Sequence, residues 1–308
     1  MTLRTNKDKL VEMAVQGRVA NPVLFSAFDV GHDGVARAVP SVGGITYNVK
    51  VGDPAFGWEG DHIEPAVSAI LDEKERMGKP NLGFNHLACT GNEAILVSGE
   101  AKGEKGVVIG KHGGAQHVMI DFDDETLGKM CLDDKILIRG YGQGFKLTDF
   151  EDIKLYNLGP QLFDQWKITQ NRDGSLAVPV AAVLPGKLMG SGLGWQAQTT
   201  GDIDLHFNDR KQIDQYGVSK LRFGDLVAVT DFDSAYGYSW REGAISIGVI
   251  VHSDSYLAGH GPGVTMLMTT CEPLIEPKIS AAANVGQMLK CGRWRKPKRK
   301  PRIGRKSK

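Results

Sequence analysis

GAISIGVIVHSDSYLAGHGPGVTMLMTT, residues 243–270, is the stretch from which the fold is most readily read. Ala244–Val251 has the pattern of a buried strand. Ile245, Ile247, Val249 and Val251 fall on one face, because side chains alternate with period two. The other face carries Ala244, Ser246, Gly248 and Ile250, and the alternation continues it to His252. Small residues on a strand face admit close approach by another backbone or by a ligand. Asp254 follows, then the loop Gly259-His260-Gly261-Pro262-Gly263 and a second apolar run, Val264–Met268. A histidine among so many glycines is positioned by backbone geometry rather than by propensity.

The 308 residues suffice for two domains, and 41% hydrophobic with 24% charged residues is an ordinary globular composition. The 39 glycines, about twice the usual share, favour turns over long helices. The N-terminus lacks an apolar core of signal-peptide length and no run reaches membrane-span length, so a cytoplasmic protein with no membrane partner is expected. Cys89, Cys131, Cys271 and Cys291 show no CxxC or metal-type spacing. Residues 292–308, GRWRKPKRKPRIGRKSK, hold ten of the 37 Lys and Arg and no acid, leaving 27 basic against 36 acidic residues in the body. The run is expected to be a disordered basic tail, able to meet nucleic acid or its own acidic body, and removable without loss of folding.

In chain order, Leu10, Val11, Ala14 and Val15 predict a helix over residues 6–16, stopped by Gly17. Strands are expected at 23–28, 35–39 and 45–51. A loop rich in special residues, Gly52–Pro65, follows them, then a helix from Ala66 to about Met77. Further strands are expected at 94–98, 106–110, 117–122 and 135–139. The run Gly99–Val108 resembles the KOW motif of small SH3-like barrels, which implies a basic edge of Lys102, Lys105 and Lys111 beside His112 and His117. Leu158-Gly159-Pro160 marks the boundary between two β-rich domains, residues 1–159 and 160–291, with the tail from 292. The fold class is therefore α+β and mainly β, in two strand-rich halves built as barrels or sandwiches rather than a doubly wound sheet.

Gly190-Ser191-Gly192-Leu193-Gly194 lacks the spacing of a dinucleotide fingerprint and of a nucleophile elbow. Gly201-Asp202-Ile203-Asp204-Leu205-His206-Phe207 is more informative. Read as a strand, it sets Ile203, Leu205 and Phe207 on one face and Asp202, Asp204 and His206 on the other. Two carboxylates and an imidazole so spaced suit a divalent metal ion or acid/base work, and a solvated strand surface has the same pattern. Leu226–Val229 is another strand, followed by Asp231, Asp233 and the aromatics Tyr236, Tyr238 and Trp240.

GEAKGEKGVVIGKHGG, LMGSGLG, GDIDL, LRFGDLVAV and IGVIVHSDSYLAGHGPGVT together resemble the prokaryotic family catalogued as domain of unknown function 4438, from about residue 20 to about 285. That resemblance implies a β-rich two-part protein with no assigned activity. A fainter similarity to acetamidase/formamidase proteins points to metal-associated amide hydrolysis as a reaction class. Two readings follow. One is a hydrolase of a small amide-like or cyclic substrate, with His252, Asp254 and His260 catalytic and Asp202, Asp204 and His206 holding a divalent metal ion. The other is an RNA- or ribonucleoprotein-binding protein that uses the KOW-like barrel and residues 292–308.

Overall fold

Antiparallel pairing closes the first half into a barrel. The computed structural model describes residues 3–24, 26–206 and 209–296. Its barrel strands are β1 (Met13–Val19), β2 (Ala66–Ile70), β3 (Glu93–Leu96), β4 (Lys105–His112), β5 (His117–Asp121) and β6 (Lys135–Gly140). The ring runs β1, β6, β3, β4, β5, β2 and back to β1, with Arg18 opposite Ile70 at the closure. Closing the ring satisfies both sheet edges. Val19, Val67, Val108, Val118, Ile120 and Ile138 are buried together in this half.

Two expected helices are corrected here. Residues 6–16 form a short 3-10 turn, Lys7–Lys9, followed by β1, whose residues 13–18 pair with β6. Gly17 does not end a helix: a Cβ there would lie 2.7 Å from Ile70 O and from Phe84 Cζ, so glycine lets the helix Lys79–Leu87 pack onto β1. The expected helix from Ala66 to Met77 begins instead as β2, and a helix starts only at Lys79, with Pro80 in its first turn. In both places long-range pairing overrides local propensity. The strands expected over 23–51 shrink to Asp29–Val30, Ala36–Arg37 and Ile45–Thr46. The basic edge also fails. Lys102 and Lys105 are exposed, but Lys111, His112 and His117 are buried, because β4 and β5 carry them inward.

The second half is built on β7 (Ala182–Pro185), β8 (Leu226–Asp233), β9 (Ser239–Ile250) and β10 (Gly263–Thr270). Their order is β10, β9, β8, β7, with Lys154–Leu155 and Ile203–Asp204 both pairing to β10. The sheet is buried on both faces, which is why its strands read as nearly continuous apolar runs. Ile247, Val249 and Val251 pack with Ile109, Met119 and Leu267, whereas Ile250 packs with Val227, Val229 and Met266. Gly248 lets β10 approach closely: a Cβ would stand 2.5 Å from Val264 Cγ1 and 2.8 Å from Thr265 O. The two halves are tied through Thr265, whose Oγ1 accepts from Lys111 N at 3.0 Å and donates to Lys111 O at 2.8 Å. Leu158, Leu162, Phe163 and Trp166, which flank the expected boundary, belong to the cluster that spans both halves. Among the described residues no helix is long and apolar enough to cross a membrane.

The start of the basic run is docked, contrary to the expectation of a wholly disordered tail. Gly292–Trp294 makes a 3-10 turn, Arg293 holds both oxygens of Asp53 at 2.6 and 2.8 Å, and Arg295 pairs with Asp121. The Asp121 side chain is 1% exposed, and burial pushes its carboxyl up against the opposing pull of Arg295. Residues 297–308, on which the nucleic-acid expectation mostly rests, lie outside the described residues. Truncation after Cys291 is therefore expected to lower the melting temperature by more than about 4 °C. Breaking a buried pair costs roughly 3 kcal/mol, the low end applying because the guanidinium is partly exposed. An unchanged melting curve would show that neither ion pair contributes.

Candidate metal centre

The loop before β2, the β4–β5 turn and three segments of the second sheet meet at one place. Loop residues 61–64 are stitched to the end of β9: Ser253 N donates to Ile63 O at 3.0 Å, Ile63 N to Ser253 Oγ at 2.9 Å, and His62 N to Asp254 O at 3.2 Å. His62 adopts a left-handed φ of 52°, unusual for a side chain of its size and of a kind that concentrates at functional sites. The short strand Ile203–Asp204 aligns with β10, Asp204 opposite Gly263. The glycine loop has a structural use here. Gly190 N donates to Asp204 O at 2.7 Å, Asp204 N to Ser191 O at 2.9 Å, and Ser191 N to Gly259 O at 2.8 Å.

Six side chains converge as two groups of three, His112, Asp202 and His252, and His62, Asp204 and His260. In the inner group the His252 ring is wholly buried and its Nδ1 faces Ser253 O at 2.9 Å. A carbonyl only accepts, so Nδ1 carries the proton and donates, leaving Nε2 to the cluster. Nε2 stands 2.9 Å from Asp202 Oδ2 and 3.3 Å from Asp204 Oδ1. Despite that short distance, His252 Nε2 and Asp202 Oδ2 are both without a hydrogen-bond partner. They lie side by side, aimed past one another at common space. Asp202 Oδ1 is already held by Gly113 N at 2.6 Å, and His112 Nδ1 by Glu64 Oε1 at 2.6 Å, which turns His112 Nε2 inward. Gly263 makes the room: a Cβ there would fall 1.9 Å from Asp202 Oδ2 and 2.2 Å from His252 Nε2.

The outer group opens outward. His260 Nδ1 lies 2.8 Å from Asp204 Oδ2 and 3.1 Å from His62 Nε2, and His62 Nε2 is 3.5 Å from the same Asp204 oxygen. His62 Nδ1 is held by Asp61 Oδ2 at 2.8 Å, and Asp61 Oδ1 accepts from Ser255 Oγ. The His260 side chain is 33% exposed. A cavity of about 420 Å³ opens here, walled by His62, His112, Asp202, Asp204, His260 and Trp195.

The electrostatics follow from this packing. Burial opposes charge on His252, but Asp202 and Asp204 outweigh it and hold the imidazole well above its ordinary range. Burial likewise pulls His62 down, while Asp204 and Asp61 raise it to about 9. The Asp204 carboxyl, buried, is driven well below the usual carboxylate range by His252, His260 and His62. Beneath the cluster, Glu64 bridges His112 and His117 and accepts from Gly43 N and Ser68 Oγ. Its burial is overcome by the two imidazoles, which hold it well below the ordinary value. The carboxylates thus draw positive charge to this place, as protons on the imidazoles or as a cation that displaces those protons. Carboxylates stay ionised, three imidazoles are oriented through Nδ1 by Glu64, Asp61 and a carbonyl, and their Nε2 atoms converge. Imidazole and carboxylate donors suit zinc, manganese or iron(II).

Of the residues singled out in the sequence, Asp202, Asp204, His252 and His260 come together. His206 and Asp254 belong to neither group. His206 bonds through its backbone to Leu188 O, since only Ile203–Asp204 of its segment continues as strand, and Asp254 contributes its carbonyl to His62. His252 does not line the cavity, so its ring touches the cluster rather than a substrate. His62, His112, Glu64 and His117 were not read as site residues. A signal existed for two of them: His112 and His117 are cross-strand partners at a hairpin end, so their side chains share a face.

A closed six-stranded barrel joined to a doubly covered β-sheet, with four imidazoles and two carboxylates at the junction, defines a two-part β protein with a candidate metal centre. The chain belongs to the family described as Domain of unknown function (DUF4438), its N-terminal model matching residues 28–164 and its C-terminal model residues 165–289. A solved structure titled "Crystal structure of TM1086" is similar at 45% identity and a TM-score of 0.87, covering 92% of this chain and 98% of that one. No curated protein matches the chain. The fainter similarity to acetamidase/formamidase proteins is not shown by these matches.

Proposed function

We propose that this chain is a metal-dependent hydrolase of a small molecule, cleaving an amide-like or cyclic C–N bond. The observation that carries the reading is the buried pair His252 Nε2 and Asp202 Oδ2, 2.9 Å apart with no hydrogen bond, within a group whose free donor atoms all converge. An orphaned buried polar atom is costly, and a shared cation would satisfy both. When bound, a divalent ion supplies a nucleophile from water near neutral pH and polarises a carbonyl. His62, His112, His252, His260, Asp202 and Asp204 would hold it, Asp61 and Glu64 orient His62 and His112, and Trp195 and Leu257 line the cavity beside them. A cavity of about 420 Å³ is of small-molecule size. The C–N bond is the class to which the acetamidase/formamidase similarity points.

The test is elemental analysis of the purified chain, followed by assay of small linear amides, lactams and cyclic imides before and after chelation. Hydrolysis should disappear with chelator and return with Zn²⁺ or Mn²⁺, and Asp204→Ala should lower it at least 100-fold. A chain that neither carries nor rebinds a divalent ion ends this reading. Retention on RNA that falls steeply with salt would favour the binding protein instead.

A further inference from the structure

We infer that the centre is dinuclear, with Asp204 as the bridging carboxylate, and that its two positions differ in exchange. This deepens the metal-dependent reading and rests on it. The two Asp204 oxygens serve different groups, Oδ1 lying 3.3 Å from His252 Nε2 and Oδ2 lying 2.8 Å from His260 Nδ1. Each group then offers two imidazole nitrogens and an aspartate oxygen, with Asp204 adding its second oxygen to the inner one. Donors bonded to one ion at 2.0–2.1 Å in a tetrahedron stand about 3.3 Å apart. The donor spacings of 2.8, 3.1 and 3.5 Å in the outer group, and 2.9 and 3.3 Å in the inner one, suit one ion in each, and the donors fall into two separate groups of three. The Nε2 atoms of His62 and His252 face different Asp204 oxygens. A carboxylate bridge of this kind holds metals about 3.5–4 Å apart, the separation used to clamp a reacting oxygen from two sides.

The two positions are unequally enclosed. Side chains of the inner group are 0 to 7% exposed, and each is pinned by a hydrogen bond at its far atom: His252 by Ser253 O, His112 by Glu64 and Asp202 by Gly113 N. The outer group contains His260, one-third exposed on a loop. The inner ion is therefore held and the outer one exchanges with the cavity.

The experiment uses the full chain stripped by chelator and titrated with Mn²⁺, read by bound-metal stoichiometry and by electron paramagnetic resonance. Two ions per chain are expected, the first at least tenfold tighter, with an exchange-coupled spectrum once both are bound. His260→Ala should keep the tight ion, lose the weak one and give an uncoupled six-line spectrum. His62→Gln, checked for folding by circular dichroism, should do the same and serves if His260→Ala misfolds. One ion per chain in the parent, or two ions without coupling, overturns the dinuclear assignment. Loss of both ions in both folded outer-group variants overturns the unequal exchange. Hydrolysis sustained by a single ion would refute this inference while leaving the proposed function standing. Two coupled ions with no hydrolysis would do the reverse.

Discussion

Replacing Gly263 with alanine is expected to remove the inner ion, and with it at least half of the bound metal. The new methyl would sit 1.9 Å from Asp202 Oδ2 and 2.2 Å from His252 Nε2. Neither side chain can swing aside freely, because Gly113 N holds the far oxygen of Asp202 and Ser253 O holds the far nitrogen of His252. Overpacking of this kind costs about 1–3 kcal/mol in stability, so folding should survive while the donor atoms are forced apart. Elemental analysis and a melting curve on the same preparation separate the two effects. Gly83→Ala is the control, since a Cβ at that helix position meets nothing within 4 Å and should leave metal content unchanged. A folded Gly263→Ala variant that keeps its full metal complement would mean the metal is held elsewhere.

The second large effect is expected at Lys111, beside the centre. Its side chain is fully buried, and Nζ donates to Asn157 Oδ1 at 2.6 Å, Thr199 O at 2.7 Å and His86 O at 3.4 Å. Burial pushes its ammonium group down to about 8. Lys111→Met keeps most of the volume but strips three acceptors, drawn from three separate segments, of their donor. At about 1–3 kcal/mol for each buried acceptor left unpaired, offset by relief of a buried charge, the net loss should be roughly 2–5 kcal/mol. Urea unfolding measures it through the midpoint, provided the slope is unchanged. A loss below about 1 kcal/mol would show that the pocket rearranges or admits water, and that the lysine is not what joins these segments.

Much of this architecture can be read locally. β9 and β10 were legible because period-two alternation is a property of consecutive residues, and burial on both faces makes the run conspicuous. Asp202 and Asp204 were legible for the same reason, flanking a buried Ile203 where the short strand Ile203–Asp204 begins. His252 and His260 could be singled out from the continued alternation and the glycine loop. The failures also share a cause. Residues 13–16 and 66–70 lie in expected helices, but their backbones pair with strands elsewhere in the chain. Lys111, His112 and His117 read as a solvated basic edge because nothing local reports that β4 turns them inward.

The sequence by itself therefore determined the β-rich class, the strands that carry the site and four of its six converging side chains, all consequences of short-range periodicity. Only the tertiary structure decided the rest. Barrel closure and the stitching of residues 62–63 to 253–254 bring His62 and His112 beside residues some 90 to 200 positions later. The packing of Arg295 on Asp121 was likewise decided there. Donor atoms converge through contacts between segments distant in the chain, and alternation along one segment carries no record of which other segment will face it.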